Sequence, residues 1–407
     1  MAEPSHDAPR AANGTCIGNR HVWRGDGGYS RQHASSGSRR MTDPTIDALA
    51  LGQRVVAVLE TGLRTATYKL ATLMALVDHC VEYLPDNPED ELAIPISRLA
   101  ERVLETYCRQ VAPLDGFGQL RQSSQPKARV LRAVQRLRAE AAGSHIASPA
   151  VARDRLPSAY NRAIDDISLT LAQQPLHRLQ RVMGAAAGPT FLYDDSWLND
   201  HVSWRTINEN GGLITLYPGV ASGLARLSGL LKPTLELLWV QDVVKLNAGL
   251  VEDGQDVAVH LFGRERISLQ PVRSALLDTF GARCFYCDAG LRSSSPVDHV
   301  LPWSRVGIDG LANLVPACER CNSDKSNALP AVATVTRVLS RDRVVLEEIG
   351  SQVGWPVQYD RVCRAARGLY RGSPNGAPTW QSRGMFTPLD LRVDTVPWIE
   401  YRSGHSD

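Results

Sequence analysis

Four of the eight cysteines fall into two pairs of identical spacing, Cys284-x2-Cys287 and Cys318-x2-Cys321. Four thiolates spaced this way can enclose one Zn²⁺ tetrahedrally, leaving no coordination position open. Such a closed site is structural, and it stabilises a small module that could bury little core unaided. Thirty residues separate Cys287 from Cys318, more than a plain zinc ribbon needs, so another element is inserted between the pairs. That insertion holds Val297-Asp298-His299, a short run expected to be a strand, where neighbouring side chains point to opposite faces. Hydrolysis of a phosphodiester requires an activated water, neutralised charge and help for the leaving oxygen. An imidazole suits the first task. A Mg²⁺ or Mn²⁺ held by few protein oxygens suits the other two, and Asp298 and Asn322 offer such oxygens.

Taken in order, Cys284-x2-Cys287, Asp298-His299-x2-Pro302, Asn313-Leu314-Val315 and Cys318-x2-Cys321-Asn322-x2-Lys325 resemble the zinc-stapled form of the HNH endonuclease family. The resemblance spans Pro271 to Pro330 and says little about the rest of the chain. It implies that His299 is the general base and that Asp298 and Asn322 hold the catalytic divalent ion. It further implies that Asn313 orients the loop bearing His299 and that Lys325 contacts phosphate. The family fold is a β-hairpin followed by a helix, the ββα-metal arrangement. The sequence carries Asn322 where the family signature has His, and an amide oxygen is a sound ligand for a hard cation.

The elements that must position this module are mostly helical. Tyr68 to Leu84 places Leu70, Leu73, Val77, Cys80 and Leu84 at helical spacing before Pro85, and a second helix runs from Ile96 through Leu99, Val103 and Leu104 to Cys108. After Pro126 a short amphipathic helix sets Val130, Leu131, Val134 and Leu137 against an opposite face of Arg129, Arg132 and Arg136. That face could lie along a phosphate backbone or could be a solvated outer surface. Phe191–Tyr193 and Leu213–Tyr217 read as strands, and Leu224–Leu250 as a helix around Pro233. Asp194 and Asp195 read as a turn or helix cap, Asp43-Pro44 as a helix start, His79 as structural or exposed, and Cys16, Cys80, Cys108 and Cys363 as core or surface residues. Trp355, Tyr359, Tyr370 and Trp380 are expected to pack over the module rather than to stack bases.

The whole reads as an α+β chain. A disordered tail (1–40) precedes a helical domain (41–183), a mixed connecting region (184–270), the nuclease module (271–332) and a short helical C-terminal extension (333–407). Met1 and Met41 both remain open as the true start. At 43% hydrophobic and 22% charged residues the composition is that of an ordinary globular protein. With no apolar run of about 20 residues and no signal-peptide core, a cytoplasmic location without membrane contact is expected. Net charge of +2 hides an asymmetry: residues 121–183 hold eleven bases against four acids, whereas residues 271–330 hold six of each. The module is therefore poorly equipped to hold a polyanion, and grip must come from elsewhere, with the basic block as the candidate. The reading is a metal-dependent endonuclease acting on nucleic acid, expected to be DNA, whose helical region selects the target or a protein partner. Defence against invading DNA or a mobile element is a setting that suits it. The alternative is a non-catalytic, zinc-dependent nucleic-acid binding or interaction protein.

Overall fold

The run Tyr68–Glu82 is apolar on nearly every side, and a helix hydrophobic all round belongs at the centre of a fold. In the computed structural model, residues 47–61, 66–114, 118–125, 128–142, 149–181, 190–250, 254–262, 269–391 and 396–400 are described. The tail expected to be disordered, the Asp43-Pro44 start and Cys16 lie outside them. From Thr45 onward the chain forms one compact unit. Helices α1 (Ala48–Thr61) and α2 (Tyr68–Glu82) pack against α9 (Val220–Leu246), which runs 27 residues with Pro233 inside it. Strand β1 (Leu92–Pro95) leads into α3 (Ile96–Gln110), and the tiny strands β2 (Pro113–Leu114) and β3 (Gly118–Gln119) pair with each other. Then come α4 (Arg129–Ala142), α5 (Pro149–Arg155), α6 (Pro157–Gln173), α7 (Pro175–Arg178), α8 (Trp204–Glu209) and β4 (Leu213–Leu216). In α3, Ile96, Leu99, Ala100, Val103, Leu104 and Tyr107 form a buried stripe against α6, while Arg102, Glu105 and Arg109 share another face. No described helix is long and apolar enough to cross a membrane.

The strand expected at Leu213–Tyr217 is β4, and its antiparallel partner is β1, with Leu92 opposite Leu216. Phe191–Tyr193 forms no strand beyond a single bridge from Tyr193 to Leu216. The reason is local: the Gln180 side-chain oxygen accepts from the backbone N–H of Phe191, Leu192 and Tyr193 at 2.9, 2.7 and 3.3 Å, and so takes the donors that a ladder would use. Asp194 closes a turn by accepting from the Ser196 N–H at 2.9 Å.

Beyond α9 follow α10 (Gly254–Phe262), α11 (Gln270–Phe280), β5 (Val297–His299), α12 (Trp303–Val306), a 3-10 turn (Leu311–Asn313), β6 (Leu314–Pro316) and α13 (Glu319–Lys325). The C-terminal part contains α14 (Val332–Leu339), α15 (Arg343–Val353) and α16 (Tyr359–Gly372), then strands β7 (Pro378–Ser382) and β8 (Met385–Pro388). The extension expected to be helical thus also contains an antiparallel hairpin, turned at Gly384 with φ of +67°. Helix α16 is fastened to the helical region by charge. Arg361 reaches Glu82 and Glu105, each at 3.1 Å, and Arg102 pairs with the same two acids. Burial opposes ionisation of Glu105, but Arg361 and Arg102 outweigh it and hold the carboxyl down to about 2.

Helix α16 also crosses α2 in backbone contact. A Cβ added at Gly368 would lie 1.6 Å from the Val81 carbonyl oxygen. Gly368→Ala gains about 1 kcal/mol of helix propensity. It should nevertheless lose at the upper end of, or beyond, the about 1–3 kcal/mol typical of overpacking, because rigid backbone cannot yield. A variant melting at the wild-type temperature would contradict this close crossing.

His79 is buried in α2 and stacks on Tyr83 at 4.4 Å. Burial, aided by Arg102, Arg98 and Arg364, pushes its imidazole down to about 3. An unfolded His titrates near 6.5, so in the window between these values only the unfolded chain takes up the proton. Stability is whole above that window and drains away as pH falls into it, by about 2 kcal/mol at pH 5. Denaturant titrations at pH 8 and pH 5 should show this loss in wild type and a smaller one in His79→Gln. Equal losses would rule His79 out as the source.

Candidate active site and metal centre

The two knuckles and the insertion fold as a unit. Strand β5 pairs antiparallel with β6, setting Asp298 opposite Val315 and His299 opposite Leu314, and α13 follows directly. The β-hairpin and helix expected from the motif are thus present. Helix α13 is N-capped by Cys318, whose Sγ accepts from the Cys321 N–H at 3.4 Å, so the second knuckle is also the helix cap. The Sγ atoms of Cys284, Cys287, Cys318 and Cys321 all lie within 4.8 Å of one another. Those of Cys287 and Cys318 are 3.8 Å apart, the edge expected of a tetrahedron with metal–sulfur bonds of about 2.3 Å. The four can hold one metal ion such as zinc. Burial works against ionisation of Cys318, but hydrogen bonds from the Cys321 backbone and the neighbouring thiols bring it down to about 7. Cys284 and Cys321 are raised, chiefly by burial, so a cation is what would bring all four to thiolates together. Cys80 and Cys363 are buried and Cys108 half-buried, all away from this cluster.

Strand alternation separates Asp298 from His299. The Asp298 carboxylate accepts from the Tyr286 hydroxyl at 2.6 Å, and the Lys325 ammonium lies 3.0 Å from the same oxygen. Burial, reinforced by the Asp298 charge, raises the Tyr286 hydroxyl well above its ordinary value and keeps it a donor. His299 turns the other way, its Nε2 lying 2.9 Å from Asp309 Oδ1. Asn313 is fully buried: its carbonyl oxygen accepts from Leu301 N–H at 2.8 Å, and its amide donates to the Leu301 and Ile308 carbonyls at 3.0 and 3.2 Å. It therefore spans the loop that follows His299. Asn322 is half-buried, and its side chain has no hydrogen bond among the described residues.

Lys325 requires a correction. The resemblance implies contact with phosphate, yet Lys325 is 1% exposed and its ammonium meets the His299 carbonyl at 2.9 Å, Asp298 at 3.0 Å and the Ser326 carbonyl at 3.5 Å. Three acceptors use its three donors, so it serves as an internal cation. Arg129, Arg132 and Arg136 are exposed on α4, as the amphipathic pattern requires, but not equally free. Arg129 donates to Gln173 at 2.8 Å and Arg136 pairs with Asp166, whereas Arg132 has no such partner among the described residues. Helix α4 packs on α3 and α6, and none of the three arginines makes a hydrogen bond or ion pair with His299 among the described residues.

Several residues that position the site carry no motif signal. Arg341 is half-buried, with its guanidinium on the carbonyls of Leu311, Ala312 and Leu314, each at 2.9 Å, which fixes the 3-10 turn and β6. Trp380, from the hairpin, packs on Cys284, Cys321 and Ala317 and donates to Asp324 at 2.7 Å. Trp355 and Tyr370 are buried as well, and the Tyr359 hydroxyl donates to the Leu339 carbonyl, so the C-terminal aromatics pack.

With this geometry in place, the comparisons divide the chain in two. Residues 48–258, just over half of it, match the Domain of unknown function (DUF8808). Residues 284–328, which hold all four paired cysteines, match the HNH endonuclease family. The chain belongs to the DUF8808 family and carries an HNH endonuclease domain. No curated protein and no solved structure matches it significantly. The HNH domain gives a nuclease-type function in general terms, and the DUF8808 region supplies α3, which reaches the HNH site through Arg109.

Proposed function

We propose that the chain is a metal-dependent endonuclease that hydrolyses phosphodiester bonds in DNA. The observation that carries this reading is the pair Asp298 and His299 on one short strand, with Asp298 held by α13 and His299 by Asp309. With Nε2 donating to a carboxylate, the imidazole carries its lone pair on Nδ1, which has no hydrogen-bond partner among the described residues. In this reading Nδ1 takes the proton of a water as the water oxygen bonds to phosphorus and the bridging phosphorus–oxygen bond breaks.

Asp298 and Asn322 fit a hard cation. One carboxylate oxygen of Asp298 holds Tyr286 and Lys325, leaving the other for a ligand bond. Asn322 lies three residues before Lys325 on α13, hence on the helix face that Lys325 directs to Asp298. Bound there, Mg²⁺ or Mn²⁺ would neutralise phosphate charge and stabilise the leaving oxygen. The four cysteines would hold a structural Zn²⁺. The HNH domain is close to neutral, so exposed Arg132, with Arg129 and Arg136, is proposed to add grip from α4.

The test is to incubate the purified full chain with supercoiled plasmid, linear duplex, single-stranded DNA and RNA, with Mg²⁺, with Mn²⁺ and with chelator. Cleavage of DNA that requires the added ion supports the proposal. Binding without cleavage under every condition would favour the non-catalytic alternative.

A further inference from the structure

Asp309 lies ten residues beyond His299, and Arg109 two hundred residues before Asp309. Arg109 closes a chain of contacts across the two family regions. The Asp309 carboxylate uses Oδ1 for His299 Nε2 at 2.9 Å and Oδ2 for the Arg109 guanidinium. All three side chains are about four-fifths buried, at 18, 17 and 20% exposure, so the interactions are poorly screened. Both ends of the carboxylate are fixed independently. The Arg109 guanidinium lies over the Trp303 ring at 4.6 Å. The Asp309 backbone is pinned because its carbonyl accepts from Trp355 Nε1 at 2.7 Å, and because the next residue is Gly310, where a Cβ would lie 2.6 Å from the Val357 carbonyl oxygen. No other side chain fits there without pushing the loop away.

We propose that Asp309 and Arg109 are positioning residues for His299, and that the DUF8808 region thereby completes the HNH site. This rests on the reading of His299 as the base. A carboxylate held at one oxygen by Arg109 can only accept at the other, so it selects the Nε2–H tautomer and leaves Nδ1 basic. Arg109 also fixes the outcome of replacing the acid. In Asp309→Asn the side-chain oxygen must turn to Arg109, because guanidinium only donates. The amide then presents N–H to His299 Nε2, which forces the proton to Nδ1 and removes the base.

The experiment uses the full chain as wild type, Asp309→Asn, Arg109→Ala, Arg109→Lys, His299→Ala and the double variant Asp309→Asn/His299→Ala. Two readouts are taken: steady-state cleavage, and ¹⁵N signals of histidine-labelled protein with His299 assigned by its absence in His299→Ala. Asp309→Asn should lower kcat by about 100-fold or more with KM changed less than about twofold. It should add nothing to the loss in His299→Ala, and Arg109→Lys should keep more activity than Arg109→Ala. The wild-type His299 signal should be that of the Nε2–H tautomer and should switch in Asp309→Asn. An unchanged signal overturns the proposal, as does a loss confined to KM, which would mean direct contact with substrate. If the wild type cleaves nothing, the catalytic reading fails by itself. The tautomer switch still decides whether Asp309 and Arg109 position His299.

Discussion

Replacing His299 with Ala should reduce the rate of DNA cleavage by about 10²–10⁴-fold, the range that a positioned proton acceptor contributes. Stability and substrate binding should change little. The side chain keeps 18% of its surface exposed, and its one hydrogen bond among the described residues is to Asp309, which keeps Arg109 when the imidazole is gone. The backbone of residue 299 stays in place because its carbonyl accepts from Lys325 and its strand pairs with β6. The loss should therefore fall on kcat, with KM near wild type, as for a group whose contribution is made in the transition state. A raised KM at unchanged kcat would instead make His299 a binding residue. Kinetics on an end-labelled duplex separate the two.

Cys321→Ser should cost more than any substitution on the protein surface. Apparent zinc binding in four-ligand sites of this kind is worth about 10–16 kcal/mol, and much of it is folding energy. Cys321 is buried, and the ion that it would help to hold joins the Cys284 turn to the start of α13. Serine keeps the volume roughly but offers a harder, far less acidic oxygen. The expected results are less than one zinc per chain by elemental analysis, a lowered melting temperature and proteolysis within residues 284–330. Cys80→Ala, outside the cluster, should keep the metal. Full zinc content in Cys321→Ser would show that the four thiols do not act as one site.

How far the sequence reaches depends on the distance over which each interaction is made. Helices α2, α3 and α9 were legible because their apolar residues recur at helical spacing, on one surface in α3 and on nearly every side in α2. The β5–β6–α13 unit was legible because its paired cysteines, Asp298-His299 and Asn313 fall at the fixed local spacings of the HNH motif. The burial of Lys325 does not show in the sequence, because α13 has only seven residues, too few for a pattern to reveal which face is buried. Phe191–Tyr193 has strand composition, but a side chain eleven or more residues away captured its donors. The hairpin at Trp380 hides in a polar stretch whose anchor is Asp324, 56 residues earlier. Arg109 carries no local sign of its role, which exists only once α3 is folded against the loop at Asp309.

If His299 drives metal-dependent DNA hydrolysis in this chain, removing its imidazole must stop cleavage while leaving the fold and the metal content intact. Wild type and His299→Ala, purified side by side and matched for zinc content and melting temperature, are incubated with supercoiled plasmid and Mg²⁺ or Mn²⁺. Nicked and linear product is expected from the wild type, none when chelator is added, and intact plasmid from the variant over the same time. Cleavage by the variant at the wild-type rate would mean that His299 is not the base.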